Sequence, residues 1–500
     1  MKKNLIALLL AALLLPALIS CGEESGAQTP GKTSSDTTAA ADTAAAETTT
    51  AAEYVDPGVK FDGKEFCIAA YDSDNYFWQA ASYCDAYAEE ENGDPINDSL
   101  VARNRAIEEG LNVSLTHYGV DVSSRDISAE VKKLILAGDD KVDLAYVTGS
   151  GVSSMVGTGD MLVDLNKIGT LDLSHSWWDA TSVEQLRILG ANYFVTGDAS
   201  LYANFSPIVY FVNKQVVEDF SLDNPYDLVR KGTWTLDKMN AMCEAVARDV
   251  NGDNKMDIND AFGMGCETGS INMMLAGCGV RITTQDADGV PQLVYNTEKA
   301  ATLVAKLVTI IRNHDVNTVA TDYSGYGNAF TEVLVPMFAD NRMLFFNNQL
   351  LVAMNLRDMQ ADFGILPPVK YDEAQEDYID FTNGSWISFL MIPVTNLDLD
   401  MTGYVMDALG YYGQKFVTPA YIETTVLNKT MRDEDSAEML ELVLSSRSYD
   451  IANYYNWGSV YSLASTMCGN KTTDFASEYA KIAEKVQTAI DTTIATISGN

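Results

Sequence analysis

The most constraining feature of this sequence is a regular alternation of short apolar strands and helices that begins near residue 65. Apolar segments at 65–70, 111–118 and 142–147 predict buried strands, and the segments between them, 98–109 and 127–137, predict helices. A glycine follows each helix, as expected at a helix end. Strands joined by helices in this way predict a parallel sheet, and ligands of such sheets bind at the carboxyl ends of the strands.

The folded part of the chain is too long for one ordinary domain. About 450 residues follow an N-terminal region of low complexity, and they are apolar enough to fill two lobes. A strand-like segment at 208–212, and another at 362–366 that runs into two prolines, predict crossings between the lobes. The predicted boundaries are 58–205 plus 326–368 for lobe 1 and 206–325 plus 369–500 for lobe 2.

The N-terminus has the features of an export signal with a lipid-attachment site. Two lysines precede an apolar stretch at 5–18 that is too short to span a bilayer, and Cys21 stands where cleavage is expected. We expect residues 1–20 to be a signal peptide, and acyl chains on Cys21 to anchor the protein on the extracellular face of the cell membrane. Residues 21–57, rich in Thr and Ala, predict a disordered tether. The alternative is an ordinary secretory signal with an incidental cysteine.

The chain is strongly acidic, with a formal net charge of −37 at neutral pH. This charge argues against binding to nucleic acid and against docking on an anionic lipid surface. The only membrane contact that we expect is therefore the one through the lipid on Cys21.

Four segments, in this order, resemble the extracellular solute-binding proteins of carbohydrate-type ABC importers, the family that includes maltose-binding protein. They are GDMLVDL at 159–165, YFVNK at 210–214, GTWTLD at 232–237 and DFGILP at 362–367. The resemblance covers most of the folded part of the chain. It implies an α/β, two-lobed, periplasmic-binding-protein-like (type II) fold that closes at a hinge on a carbohydrate or oligosaccharide and delivers it to ABC permease subunits. We expect a monomer without enzymatic activity.

A sugar site needs aromatic rings for the flat faces of the sugar and carboxylates or amides for its hydroxyl groups. Any one Trp is more often a core residue than a ligand platform, and the neighbours Trp177 and Trp178 are not expected to face the same way. Trp234, at the start of a helix, is expected to belong to the core. The candidate ligand-binding residues are Asp72, Tyr76, Trp78, Trp177, Trp178, Asp198, Trp386, Tyr455 and Trp457.

The segment 249–260 has the residue order of an EF-hand calcium loop. Oxygen-bearing side chains stand at loop positions 1, 3, 5, 9 and 12, and a main-chain carbonyl stands at position 7. Positions 6 and 12 are Asn254 and Asp260 instead of Gly and Glu, but asparagine tolerates left-handed backbone and dockerin loops end in aspartate. An acidic, solvated turn is the alternative. The expected ligands of a structural Ca²⁺ are Asp249, Asn251, Asp253, Lys255, Asp257 and Asp260.

No motif in the sequence points to catalysis. His117, His175 and His314 have no metal-ligand or nucleophile spacing, and a nucleophile elbow, a phosphate loop and a dinucleotide fingerprint are all missing from the sequence. Six cysteines follow the lipid-attachment site and are expected to be buried, small apolar residues; a short disulfide loop between Cys266 and Cys278 is the alternative. Two other function classes stay open: a surface glycan-adhesion protein without a transport role and, third, a secreted hydrolase.

Overall fold

The structure is a computed structural model that describes residues 56–72, 83–122, 124–156, 161–382, 384, 386–427 and 434–499. Residues Ala51–Asn500 form one contact unit, within which the described strands make two larger sheets and two pairs. The strands are β1 (Lys64–Tyr71), β2 (Val113–Val120), β3 (Leu144–Thr148), β4 (Ile208–Asn213), β5 (Phe262–Cys266), β6 (Thr283–Gln285), β7 (Pro291–Leu293), β8 (Asn317–Val319), β9 (Met343–Gln349), β10 (Phe363–Leu366), β11 (Asp380–Phe381), β12 (Ser388–Met391) and β13 (Arg447–Ser448).

Helices connect most of these strands and fill the C-terminal part of the chain. In the ranges given above, no helix has both the length and the apolar character needed to cross a membrane. The α-helices are α1 (Pro95–Leu111), α2 (Ser128–Ala137), α3 (Val152–Val156), α4 (Ala180–Gln185), α5 (Leu201–Phe205), α6 (Lys214–Asp219), α7 (Pro225–Arg230), α8 (Leu236–Val246), α9 (Ser270–Gly277), α10 (Glu298–Ile311), α11 (Val335–Ala339), α12 (Ala353–Leu356), α13 (Leu399–Tyr412), α14 (Thr418–Tyr421), α15 (Glu434–Ser445), α16 (Ile451–Tyr455), α17 (Ser462–Asn470), α18 (Phe475–Ala480) and α19 (Ala483–Ser498). Single 3₁₀ or π turns occupy Gly149–Gly151, Leu165–Lys167, Ala320–Asp322, Phe330–Leu334, Leu350–Val352, Gly413–Val417, Ile422–Leu427 and Trp457–Ser459.

The first sheet contains the strands that the alternating pattern predicts. Its order is β12-β3-β1-β2, and β1 runs parallel to both β2 and β3. The last six residues of β1 are buried, as is typical of a strand covered on both faces. The Asp94 carboxylate caps α1 by accepting from the main-chain N–H groups of Ile96 and Asn97. Gly138, at a φ of 69°, ends α2. The predicted parallel sheet is therefore confirmed.

The second sheet has the order β10-β4-β9-β5-β8. β5 runs parallel to β8 and β9, whereas β4 runs antiparallel to β9 and β10. Trp234 packs against this sheet with no exposed surface, its ring in contact with Tyr210 and Phe345. Its indole N–H donates to the main-chain oxygen of Pro367 at 2.9 Å. The expectation that Trp234 belongs to the core is confirmed.

Sheet membership corrects the predicted lobe boundaries. The segment 326–368, which the sequence assigns to lobe 1, contains β9 and β10, and both pair with β4 in the sheet of lobe 2. The segment 369–500, which the sequence assigns to lobe 2, contains β12, which pairs with β3 in lobe 1. The cause is that these strands pair with partners that are distant in the sequence, and no local pattern in the sequence reports such a pairing.

The chain passes between the two sheets at their carboxyl edges. The first crossing runs from Val195 through α5 to Ile208, which pairs with Gln349 at the carboxyl end of β9. The second crossing leaves β10, passes through β11 and enters β12 at Ser388, which pairs with Thr148 at the carboxyl end of β3. Both crossings join the carboxyl edge of one sheet to the carboxyl edge of the other. The two carboxyl edges therefore face each other.

The described cysteines are all free thiols. The alternative of a disulfide between Cys266 and Cys278 is therefore wrong, and both residues are fully buried. Burial raises the pKa of each thiol, so at neutral pH they are protonated and contribute to the core as small apolar side chains.

Candidate ligand-binding site at the facing sheet edges

The facing edges define where a ligand is expected, because ligands of open parallel sheets bind beyond the carboxyl ends of the strands. On one side are the ends of β1, β2 and β3, and on the other are the ends of β5, β8 and β9. We refer to the side chains at these strand ends and on the two crossings as the interlobe site.

On the lobe 1 side, a buried arginine stacks on the first crossing. Arg125 follows β2, is 3% exposed, and places its guanidinium carbon 3.4 Å from the centre of the Tyr202 ring and 5.7 Å from that of Trp386. Its Nη1 donates to the main-chain oxygen of Trp386 at 3.1 Å. Such cation–π contacts are strongest where water is excluded. Arg125 therefore joins the end of β2 to α5, the helix that carries Tyr202.

Asp85 holds the start of the same helix. Its Oδ1 accepts from the main-chain N–H of Leu201 at 2.7 Å. Arg103 donates to the main-chain oxygens of Asp85, at 2.8 Å, and Ala199, at 3.2 Å. Burial raises the pKa of Asp85, and the positive charge of Arg125 is the strongest of the effects that oppose this rise. The first crossing is thus fixed to lobe 1 by buried polar side chains.

Asp380 occupies the second crossing and is fully buried. Its Oδ1 accepts from the main-chain N–H of Ile208 at 2.9 Å, which ties this crossing to the start of β4. Its Oδ2 has no hydrogen-bond partner within the described ranges. Burial raises the pKa of Asp380 to about 8, and the hydrogen bond from Ile208 and the positive charge of Arg447 offset only part of the rise. Asp380 is therefore mainly a neutral carboxylic acid at pH 7.

Arg447 connects the two crossings. It lies opposite Asp380 in the parallel pair of β11 and β13. Its Nη2 donates to Oδ1 of Asn204 on α5 at 2.8 Å, and its Nη1 lies 3.5 Å from the Asp179 carboxylate. The Tyr449 hydroxyl also donates to Asp179, at 2.7 Å. A displacement of one crossing relative to the other has to break or rearrange these contacts.

On the lobe 2 side, Glu267 directly follows β5. Its side chain is half-buried, and burial raises its pKa to about 7. Its carboxylate takes part in no hydrogen bond or ion pair with the described residues. The interlobe site thus contains a carboxylate that is partly withdrawn from water and free to accept a hydrogen bond.

Trp177 and Trp178, which the sequence suggests as solute contacts, both have the surroundings of core residues. They are 1% and 3% exposed, and both indole N–H groups donate to Oδ1 of Asp407 on α13, at 2.8 and 3.4 Å. Both rings belong to the core of lobe 1. The two neighbours point inward together because they lie in an irregular segment, where side chains do not alternate as they do in a strand.

Three more predicted ligand residues have structural roles. Tyr455 and Trp457 are 5% and 3% exposed, stack on each other at 5.0 Å, and are fixed by an indole hydrogen bond of 2.9 Å to Thr493 of α19. The Asp198 carboxylate accepts from the Thr418 hydroxyl at 2.6 Å and from the side-chain amide of Gln414, in the turn between α13 and α14, at 3.0 Å. Burial raises the pKa of Asp198. The protein itself satisfies the Trp457 indole and the Asp198 carboxylate, whereas the buried Tyr455 hydroxyl has no hydrogen-bond partner among the described residues. Contact of these three residues with a solute stays a prediction.

Two of the predicted residues do lie at the interlobe site. Trp386 is half-buried just before β12, and Asp72 is exposed just after β1. Their contact with a solute stays a prediction. Tyr76, Trp78 and Cys21 lie outside the described residues.

The predicted calcium loop connects α8 to β5. Its ends are joined by a bridge between Arg248 and Ala261. Asn254, at loop position 6, has a φ of 64°, so the left-handed backbone expected there is confirmed. A strand follows the loop, where an EF-hand has its second helix.

The acidic side chains of this loop bind its own main chain. Asp249 accepts from the N–H groups of Asn254, at 2.7 Å, and Gly252, at 2.6 Å, and these bonds lower its pKa. The buried Asp260 accepts from the N–H of Asp257 at 2.8 Å. Wherever side chains are described, no cluster of three His, Cys, Asp or Glu residues is arranged to hold a metal ion. Calcium binding by this loop stays a prediction.

One arrangement in lobe 1 resembles a nucleophile with a base, and its energetics argue against that role. Cys84 Sγ lies 3.6 Å from His117 Nε2, and His117 Nδ1 lies 3.8 Å from the Asp72 carboxylate. Burial raises the pKa of Cys84 to about 12 and lowers that of His117. At neutral pH both groups are uncharged, whereas a reactive cysteine needs its thiolate.

Sequence reasoning missed the main polar residues of the interlobe site, which are Arg125, Glu267, Asp380 and Arg447. For two of these residues, the sequence contains a feature from which the site could have been predicted. Arg125 and Glu267 follow apolar strands directly or within a few residues, the same rule that selected Asp72. For Asp380 and Arg447 the local sequence holds no such signal, because their roles depend on a pairing between distant segments.

No protein-family model matches the chain, and no curated protein matches it. Solved structures do match it over most of its length. An ABC substrate-binding protein from Listeria monocytogenes in complex with cycloalternan is 12% identical, with a TM-score of 0.55, over 88% of this chain and 100% of the other. A sugar transporter protein from Rhizobium etli in an open conformation is 12% identical, with a TM-score of 0.56, over 85% and 99%. The GacH receptor of Streptomyces glaucescens is 9% identical, with a TM-score of 0.55, over 85% and 99%.

Identities this low carry an argument about the fold only. The predicted α/β, two-lobed, type II periplasmic-binding-protein fold is confirmed, because these solved structures match this chain over nearly all of their own length.

Proposed function

We propose that this chain is an extracellular, lipid-anchored solute-binding protein that captures a carbohydrate or oligosaccharide between its lobes and delivers it to the permease of an ABC importer. The observation that carries the proposal is that both crossings between the sheets connect the carboxyl edge of one sheet to the carboxyl edge of the other. Lobes linked in this way close by rotation at the linking segments, and a ligand that contacts both lobes favours the closed form.

The carbohydrate class is supported by the proteins that share the fold. One was solved in complex with cycloalternan and another in complex with acarbose. Within this chain, the half-buried ring of Trp386 and the carboxylate of Glu267 supply the two kinds of group that sugars require, an apolar face and a hydrogen-bond acceptor.

Three further parts of the proposal rest on the sequence. Cys21 carries the acyl chains that hold the protein on the outer face of the membrane, the loop at 249–260 binds a structural Ca²⁺, and the permease subunits recognise the closed monomer. Loss of fatty-acid labelling in Cys21→Ser, with secretion of the protein into the medium, tests the anchor.

The solute class is tested by thermal unfolding of residues 54–500 with calcium present, against oligosaccharides, polyols, peptides and amino acids. A ligand that binds only the folded state at a concentration of about 100 Kd stabilises it by about 2.7 kcal/mol and raises the melting temperature. We expect this rise with a saccharide. A rise with peptides alone would contradict the carbohydrate assignment, and no rise with any small solute would favour adhesion to a large glycan.

A further inference from the structure

Glu267 differs from the other carboxylates at the interlobe site. It connects the end of β5 to α9, and its main-chain N–H donates to the Ser270 hydroxyl at 3.3 Å. Met273 of the same helix packs against Ile208 and Phe381, one residue from each crossing. Glu267 therefore directly precedes a helix that contacts both crossings, at the carboxyl end of β5.

The buried carboxylates on and beside the two crossings have partners from the protein. Asp179 binds Tyr449, Asp198 binds Thr418, and one oxygen of Asp380 binds the main chain of Ile208. The Glu267 carboxylate takes part in no such contact with the described residues, although its side chain is half-buried. A carboxylate in this situation destabilises the folded protein, because it loses hydration without gaining a protein donor.

We propose that Glu267 is a specificity-determining residue that accepts a hydrogen bond from a donor group of the solute, a hydroxyl or an ammonium group, and disfavours anionic solutes. This inference rests on the proposed function, since it assumes that a solute enters the interlobe site. A ligand donor supplies the partner that the protein lacks, whereas a ligand carboxylate or phosphate places two negative charges close together.

The charge environment strengthens the same preference. Burial is the only cause found for the rise in the pKa of Glu267 to about 7, so neither a nearby cation nor a nearby anion dominates its protonation. The Glu267 charge acts on the buried thiol of Cys266, the residue before it, and contributes to the raised pKa of that thiol. With a net charge of −37 on the whole chain, an anionic solute also meets a repulsive long-range field.

The test compares wild type with Glu267→Gln at pH 8, where Glu267 is mainly ionised. Glutamine keeps the shape of the side chain but removes its charge. Titration calorimetry uses three matched probes: a neutral disaccharide, its amino-sugar counterpart and its uronic-acid counterpart. We expect wild type to bind the neutral or the amino probe at least about tenfold more tightly than the uronic acid, as for a charge-assisted hydrogen bond. In Glu267→Gln this ratio falls toward one.

The ligand-free melting temperature supplies a second readout. Removing a half-buried charge without a partner is expected to raise the melting temperature of Glu267→Gln at pH 8 while weakening binding. A purely structural carboxylate would give a lower melting temperature. The matched control is Asp143→Asn, a half-buried carboxylate with a raised pKa at the amino end of β3, whose Oδ2 accepts from the main-chain N–H of Cys67 at 2.8 Å. This control should leave the affinities unchanged.

The outcomes separate this inference from the proposed function. Binding that is equal in wild type and Glu267→Gln, or uronic-acid binding as tight as that of the neutral probe, overturns the role of Glu267 and leaves the receptor intact. A lower melting temperature of the ligand-free variant also overturns it. If no saccharide of any charge binds to wild type, the proposed function fails and the inference fails with it. Tighter binding of the amino probe identifies an ammonium donor, and tighter binding of the neutral probe identifies a hydroxyl donor.

Discussion

Replacing Asp380 by asparagine should change how the stability of the protein depends on pH. In wild type, burial raises the pKa of Asp380 from its ordinary value of 3.8 to about 8. Between these two values the folded state holds a proton that the unfolded state has lost. The contribution of Asp380 to stability is therefore fully present below about pH 4 and is lost as the pH rises toward 8, at about 1.4 kcal/mol per pH unit.

The variant isolates this effect because asparagine cannot titrate. Its side-chain oxygen can still accept from the main-chain N–H of Ile208, the bond that Asp380 makes at 2.9 Å. The other titrating groups nearby, Arg447, Asp179 and Asp198, are common to both proteins, as is Glu267. From pH 5 to pH 7, the free energy of unfolding of wild type should fall by about 2.7 kcal/mol relative to that of Asp380→Asn.

The assay is urea unfolding of both proteins at pH 5, 6 and 7, followed by tryptophan fluorescence and by circular dichroism. Agreement of the two probes is required, because two lobes that unfold separately would invalidate a single free energy. Parallel pH profiles for wild type and variant would refute the reasoning. They would mean that Asp380 is ionised in the folded protein, with water or another donor at its second oxygen.

Three other predictions concern residues singled out by the sequence. Trp177→Ala should lower the free energy of unfolding by about 3 to 5 kcal/mol, because its ring is in the core of lobe 1; a stable variant with weakened solute binding would restore its predicted ligand role. Trp386→Ala should weaken binding of the solute with little change in melting temperature, and unchanged affinity would assign this ring to packing alone. A chelator should lower the melting temperature of wild type, and added Ca²⁺ should restore it, whereas Asp249→Ala should lose this sensitivity. An unchanged melt of wild type would contradict the calcium loop, and the wild-type comparison is decisive because Asp249 also accepts from Asn254 within the loop.

The parts of the fold that were predictable from the sequence are those that local rules determine. Strands β1, β2 and β3 are separated by single helices. Their burial and their parallel direction could therefore be predicted from the short stretch of sequence that contains them. The lobe boundaries depended instead on where β9, β10 and β12 pair. β12 joins β3 across more than two hundred residues of chain, and nothing within the segment Ser388–Met391 distinguishes one buried sheet from the other.

The position of the aromatic residues could not be predicted from the sequence for a related reason. Burying a tryptophan ring is favourable in any apolar environment, by about 25 cal/mol for each Å² removed from water. The core of a lobe provides such an apolar environment, and so does the flat face of a sugar. A Trp beside an Asp in the sequence is therefore equally consistent with a core residue and with a ligand-binding residue. Trp178, next to Asp179, belongs to the core, whereas Trp386, just before a strand that starts at the carboxyl edge, lies at the interlobe site. Position relative to a strand end was the more informative criterion.

The carboxylates of the interlobe site could not be identified from the sequence, because the chain contains so many acidic residues. Among 70 Asp and Glu residues, no spacing distinguishes Glu267 or Asp380. Their unusual property is a carboxylate oxygen without a hydrogen-bond partner among the described residues, and no sequence motif reports this. A missing partner is a property of the folded structure, since it depends on which groups the sheets and crossings bring close and which they leave apart. Buried acids of this kind destabilise a fold, and their occurrence at the edge where two lobes face each other is what a site completed by its ligand requires.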